Sequence, residues 1–79
     1  PGLINTHAHL AMSLFRGLAD DLPFSQWLFE TILPLEQKKT DRKFVRIGTE
    51  LAAAELIRHG VTTCVDMYFY ASEAAEVLG

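Results

Sequence analysis

With a single cysteine, Cys64, in 79 residues, the chain has no internal disulfide. That removes the secreted, bridge-stapled class of small domains and makes a reducing, cytoplasmic setting the expectation. Long apolar runs are also missing. Each one breaks well short of the roughly 18 residues that a membrane span needs, so no transmembrane segment is expected. Basic excess is absent as well, because seven Lys and Arg stand against ten Asp and Glu for a formal net charge of −3. A nucleic-acid partner, which needs a positive field to meet phosphates, is therefore not expected. Nor is disorder, since 49% of the residues are hydrophobic and the net charge is small. The chain opens at Pro1-Gly2-Leu3-Ile4 without Met or a basic stretch ahead of the apolar run, unlike a signal peptide. It ends at Glu73-Ala74-Ala75-Glu76-Val77-Leu78-Gly79 in helical spacing. The expectation is a segment of something larger, cut at both ends, because a natural domain of this size is marginal without disulfides or a structural metal.

What is present has a βαβ order. Leu3-Ile4-Asn5-Thr6-His7-Ala8-His9 alternates with period two, predicting a strand with Asn5, His7 and His9 on one face and Ile4, Thr6 and Ala8 on the other. The pattern blurs from Leu10 to Leu18, which predicts a loop. Pro23 opens a short helix through Phe24, Trp27, Leu28 and Ile32, and Pro34 is expected to stop it. Thr40 is an acceptable N-cap for a long helix running to about Arg58. Its apolar stripe is Phe44, Ile47, Gly48, Leu51 and Ala54, widened by Val45, Ala52 and Leu56. Arg58, His59 and Gly60 end it. Val61-Thr62-Thr63-Cys64-Val65-Asp66-Met67 follows as a buried parallel strand. The order is strand, long excursion, helix, strand and the start of another helix, the grammar of an α/β sheet or barrel.

The chemistry concentrates on His7 and His9. Side chains at i and i+2 of a strand leave one face roughly 6.5 to 7 Å apart, and two imidazoles at that spacing can share a metal with bonds of about 2.0–2.1 Å. The bland alternative is a pair of ordinary polar or partly buried histidines. Their place at the C-terminal end of a parallel strand, where α/β folds put their active sites, favours the metal. His59 reads instead as a helix-end residue complementing the dipole, and Cys64 as a buried, inert thiol. Asp66 either supports the site through a hydrogen bond or makes local turn bonds. Trp27, Phe24 and Phe15 either wall an apolar pocket or pack the excursion onto the body. Glu36 is either the cap of a turn or a carboxylate aimed at ligand hydroxyls. Lys38, Lys39, Arg42 and Lys43 read as a solvated face, and Arg16 as structural or as an anchor for the loop.

Taken together, residues 1–9, Met12, the Leu-Phe-Arg-Gly run at 14–17, Ala19-Asp20-Asp21-Leu22, Trp27-Leu28, Ile32-Leu33-Pro34-Leu35-Glu36, His59-Gly60-Val61-Thr62-Thr63 and Asp66-Met67-Tyr68 resemble the amidohydrolase superfamily. Within it they are most similar to the branch holding the 5-methylthioadenosine/S-adenosylhomocysteine deaminases, together with guanine deaminases and triazine hydrolases. The resemblance implies an α/β fold, a partial (β/α)8 TIM barrel of the metal-dependent hydrolase type, with this chain one segment of a single catalytic domain. The rest of the barrel and a small N-terminal β-domain would lie outside residues 1–79. It implies that His7 and His9 ligate a divalent metal, Zn2+ first and Fe2+ as the alternative. Glu36 would bind the ribose hydroxyls of a small-molecule nucleoside, and Trp27 would stand near the substrate. The remaining ligands and the proton shuttle, which complete the catalytic apparatus, would come from later strands. The implied reaction is hydrolytic deamination with release of ammonia. Guanine deamination, triazine hydrolysis and a non-enzymatic fragment stay open, as does a homo-oligomer. The 79 residues alone are expected to be inactive.

Overall fold

Alternation of side chains along residues 3–8 produces the expected first strand, β1 (Leu3–Ala8), in the computed structural model, which describes all 79 residues. A second strand, β2 (Val61–Asp66), lies parallel to it with Ile4 beside Thr63, Asn5 beside Cys64 and Ala8 beside Asp66. The Leu3 N–H donates to the Gly60 carbonyl at 2.8 Å, and the Met67 N–H to the Ala8 carbonyl at 3.0 Å. The ladder therefore joins both ends of the strands, with its register shifting between Leu3 and Ile4 and between Asn5 and Ala8. Their C-terminal ends, with His9 and Met67 just beyond, share one edge, while His59 and Gly60 sit at the other.

Three α-helices complete the chain: α1 (Leu33–Lys39), α2 (Arg42–Arg58) and α3 (Ala71–Leu78). Parallel strands need a crossover, and α2 supplies it. Its N-cap is Asp41, not Thr40: the Asp41 carboxylate accepts the Phe44 N–H at 2.7 Å. Thr40 instead closes α1, its N–H donating to the Glu36 carbonyl at 3.0 Å. A carboxylate in extended geometry meets both the orphan donors and the dipole of the helix that follows. Asp41→Ala is expected to cost about 1 kcal/mol in equilibrium urea unfolding, and Asp41→Asn much less, because both oxygens accept alike. At the far end Gly60 takes φ +77°, the left-handed turn that ends α2.

The long excursion is more ordered than a loop. Leu10–Phe15 forms a 3₁₀ turn that buries Leu10, Ala11 and Phe15. Pro34 does not stop the helix ahead of it. Gln26–Ile32 is wound as a π-helix, its end marked by the Leu33 N–H donating to the Leu28 carbonyl, and Pro34 occupies the first turn of α1. Widening the turn ahead of a proline makes room for a ring that lacks an N–H and crowds the carbonyl four residues back.

The buried stripe of α2 is narrower than the expected one, keeping Val45, Gly48 and Ala52 and adding Thr49. Val45, Gly48, Thr49 and Ala52 are buried, whereas Ile47 and Leu51 are more than two-fifths exposed. Small side chains decide this, because Gly48 and Ala52 let the 3₁₀ turn and β1 come close. Ala8, Leu10 and Ala52 form one buried cluster, with Cys64 and Leu56 against it, and Ala11, Val45 and Ala74 form the other. Around them, ion pairs hold the elements in place. Arg16 grips Glu55 through two bonds of 2.8 and 2.7 Å, anchoring the end of the 3₁₀ turn to α2. Arg42 is not simply solvated: it reaches Glu73 of α3 at 3.0 Å and lies over the Tyr70 ring. Arg46 bridges Glu73 and Glu76 at 3.2 and 3.1 Å. Such exposed pairs orient more than they stabilise. Only 10 of 79 residues are buried, so the two clusters are a small core for this length. No helix is long and apolar enough to cross a membrane.

Candidate functional site

β1 carries His7 and His9 to its C-terminal end, where the two rings meet edge-on with centroids 5.0 Å apart. His9 is held by the neighbouring strand: its Nδ1 lies 2.6 Å from the Met67 carbonyl. A carbonyl only accepts, so Nδ1 carries the proton and the lone pair is left on Nε2. This is the arrangement in which ligating histidines are found, one nitrogen donating to a fixed oxygen and the other free for the metal. The Asn5 carboxamide accepts the His7 N–H at 3.1 Å, steadying the strand one residue before Ala8. Asp66 makes no local turn bond and does not reach the histidines: its Oδ1 accepts the N–H of Leu10, which follows the other strand of the pair, at 2.9 Å and pins the turn that follows His9.

Two imidazoles, one of them oriented by a backbone carbonyl, fit a borderline divalent ion such as zinc. They do not complete a site. No cluster of three or more His, Cys, Asp or Glu side chains is assembled anywhere in the chain. His59 is remote from the pair, its Nδ1–H donating to the Glu55 carbonyl at 2.7 Å at the end of α2. Cys64 is half-buried among Ala8, Leu10 and Ala52, with no basic group beside it.

Beside His9 opens a groove of about 540 Å³ lined mostly by apolar groups: Met12, Phe24, Trp27, Leu28, Ile32, Met67 and Phe69. Glu36, Tyr68 and His9 are its polar members. An apolar cleft with a few convergent polar groups is the common form of a small-molecule site. The structure thus brings together His9, Trp27 and Glu36, which lie far apart in sequence. His7 does not line the groove, and Phe15 packs on Phe44 instead, with ring centroids 4.9 Å apart. Trp27 leans on Phe24 at 6.0 Å.

Glu36 is tied by a side chain that sequence reasoning did not single out. The Tyr68 hydroxyl donates to Glu36 Oε1 at 3.0 Å, and the Thr40 hydroxyl lies 3.4 Å from the same phenol oxygen. Burial pushes the Tyr68 phenol up to about 12; the Glu36 carboxylate adds to the rise and the Thr40 contact opposes it. Tyr68 is therefore a neutral donor at any physiological pH. A second groove, about 500 Å³, opens at the other end of the strands between Ala53, Leu56, Ile57, Val61, Val77 and Leu78. Its only titratable lining group is Cys64.

Known proteins share this arrangement of elements. The chain is 57% identical over 75 residues to a 5-methylthioadenosine/S-adenosylhomocysteine deaminase of Saccharophagus degradans, covering 95% of this chain and 17% of that protein. It is 50% identical over 78 residues to a 5'-deoxyadenosine deaminase of Methanobrevibacter smithii, covering 99% of this chain and 18% of that one. Its backbone superposes with a TM-score of 0.94, at 47% identity, on the crystal structure of an adenosine deaminase from Xanthomonas campestris with bound zinc. That match covers 98% of this chain and 18% of the crystallised one. The chain spans under a fifth of the length of these relatives. Its strands and helices are part of an α/β barrel, as the resemblance implied. Because the family's own sequence model matches residues 1–78, nearly every residue of the chain, the chain belongs to the amidohydrolase family.

Proposed function

We propose that these residues form two ligands of a metal centre and one wall of the substrate pocket in a hydrolytic deaminase of adenosine-type nucleosides. The observation that carries this is the single groove in which His9, Trp27 and Glu36 meet, with His9 turned so that Nε2 is free. The relatives' names point to the same substrates. His7 and His9 hold the ion, and when bound, zinc, or Fe2+ in second place, supplies Lewis-acid activation of water at neutral pH. The chain's own residues do the rest of the work on this side of the pocket. Glu36 accepts the ribose hydroxyls, and Trp27 with Met12 gives the thioether end of the substrate an apolar surface. Residues 1–79 belong to one catalytic barrel domain, working in the cytoplasm, whose other strands provide the remaining ligands and the proton shuttle. Those strands also cover the apolar groups of β1 and β2 that stand open here, among them Ile4 at 67% and Val65 at 48% exposure.

A substrate panel on the complete enzyme tests the reading. Ammonia release from 5-methylthioadenosine and adenosine is expected, and turnover of triazines or guanine with none of nucleosides overturns it. Trp27→Ala should lower kcat/KM for 5-methylthioadenosine relative to adenosine by about 10-fold, the scale on which an apolar pocket senses a small group. An unchanged ratio removes Trp27 from the substrate wall.

A further inference from the structure

We propose that Tyr68 is a positioning residue for Glu36, fixing the carboxylate so that it can accept both hydroxyls of a vicinal diol. The inference rests on the reading above, that Glu36 meets the sugar. Its geometry is a short chain of donors. The Thr40 hydroxyl gives its proton to the Tyr68 oxygen, which turns the phenol proton toward Glu36 Oε1. The direction is forced at one end, because an ionised carboxylate accepts and cannot donate. A carboxylate has about four acceptor positions. Tyr68 uses one of them, and the rest are enough for two hydroxyls.

The need for such a prop follows from where Glu36 sits. It projects from the first turn of α1, a short helix with no buried residue. A free glutamate there must lose its rotamer freedom each time a substrate binds, which weakens binding. Tyr68 is itself well fixed: its ring stands 6.2 Å from that of His9 and 5.1 Å from that of Phe69, and it packs against the Ala11, Val45 and Ala74 cluster. The residue before it, Met67, holds His9. One dipeptide after β2 thus sets both the histidine at the base end of the pocket and the carboxylate at the sugar end, and so the spacing between them.

The test compares adenosine with 2',3'-dideoxyadenosine in the complete, zinc-loaded enzyme. Tyr68→Phe keeps the ring and removes only the hydroxyl. It should raise KM for adenosine by about 10-fold, the usual scale for losing a bond to a charged group, with kcat little changed. KM for the dideoxy substrate and the zinc content should stay as they were. Equal losses on both substrates would assign Tyr68 a merely structural role and overturn the proposal. Glu36→Gln separates the two layers. If it erases the preference for the diol while Tyr68→Phe leaves that preference whole, the positioning role alone fails. If Glu36→Gln leaves the preference intact, the sugar-binding reading of Glu36 fails and the proposal goes with it.

Discussion

His9→Ala in the complete enzyme is expected to yield protein that purifies without zinc and has no measurable deaminase turnover, and His7→Ala is expected to do the same. The size of the effect follows from what each change removes. Losing a hydrogen-bond partner behind a ligating histidine costs roughly 10–100-fold in metal affinity. Losing the ligating nitrogen itself must cost more, and at a site with few protein ligands it also leaves the ion without its geometry. Metal content by elemental analysis, read beside kcat/KM, checks the result. His59→Ala is the control, since His59 caps the opposite end of α2 through the Glu55 carbonyl and touches neither histidine of the pair. Zinc retained at full stoichiometry in His9→Ala would show that the pair does not hold the metal. Loss of zinc in all three variants would point to a general failure of folding instead.

The pair was legible in the sequence because its signal is local. Alternation along β1 places His7 and His9 on one face, and a strand fixes their spacing whatever surrounds it. The long crossover helix was legible for the same reason, with helical periodicity through its middle and Gly60 at its end. What the sequence concealed is contact between distant segments. Met67 orients His9 through a backbone carbonyl, which has no side-chain signature at all. Tyr68 and Glu36 are 32 residues apart, and nothing in either neighbourhood announces the bond between them. The edges of the α2 stripe were concealed for a related reason. Hydrophobicity placed Ile47 and Leu51 beside Gly48, but burial kept Gly48 and took in Thr49 instead because the 3₁₀ turn needs a close approach, and closeness is a property of two elements together. Pro34 was misread because a proline stops a helix only when the preceding turn is of ordinary width.

That close approach leads to the second large effect, where sign as well as size is at stake. Gly48→Ala in an ordinary helix interior should stabilise by about 1 kcal/mol, since alanine is the better helix former. Here a Cβ at position 48 would stand 2.5 Å from the Ala11 carbonyl oxygen and 2.8 Å from the Ala11 Cα. Both are backbone atoms of the 3₁₀ turn, with no side chain to swing aside. Relief requires α2 and the turn to part, which opens the buried contacts of Ala11 with Val45 and Ala74. Overpacking of this kind costs about 1–3 kcal/mol or more, enough to reverse the propensity gain. Gly48→Ala is therefore expected to destabilise the protein, by up to about 2 kcal/mol net in equilibrium unfolding. The reverse change at an exposed site of the same helix, Ala54→Gly, should cost only about 1 kcal/mol, from propensity alone. The displaced turn begins at Leu10, the residue directly after His9, and its Leu10 N–H is the group that Asp66 holds. Gly48→Ala should therefore also weaken zinc retention, whereas Ala54→Gly, though it too lowers stability, should leave it unchanged. A stabilised Gly48→Ala protein would mean that α2 and the turn sit further apart than 2.5 Å permits.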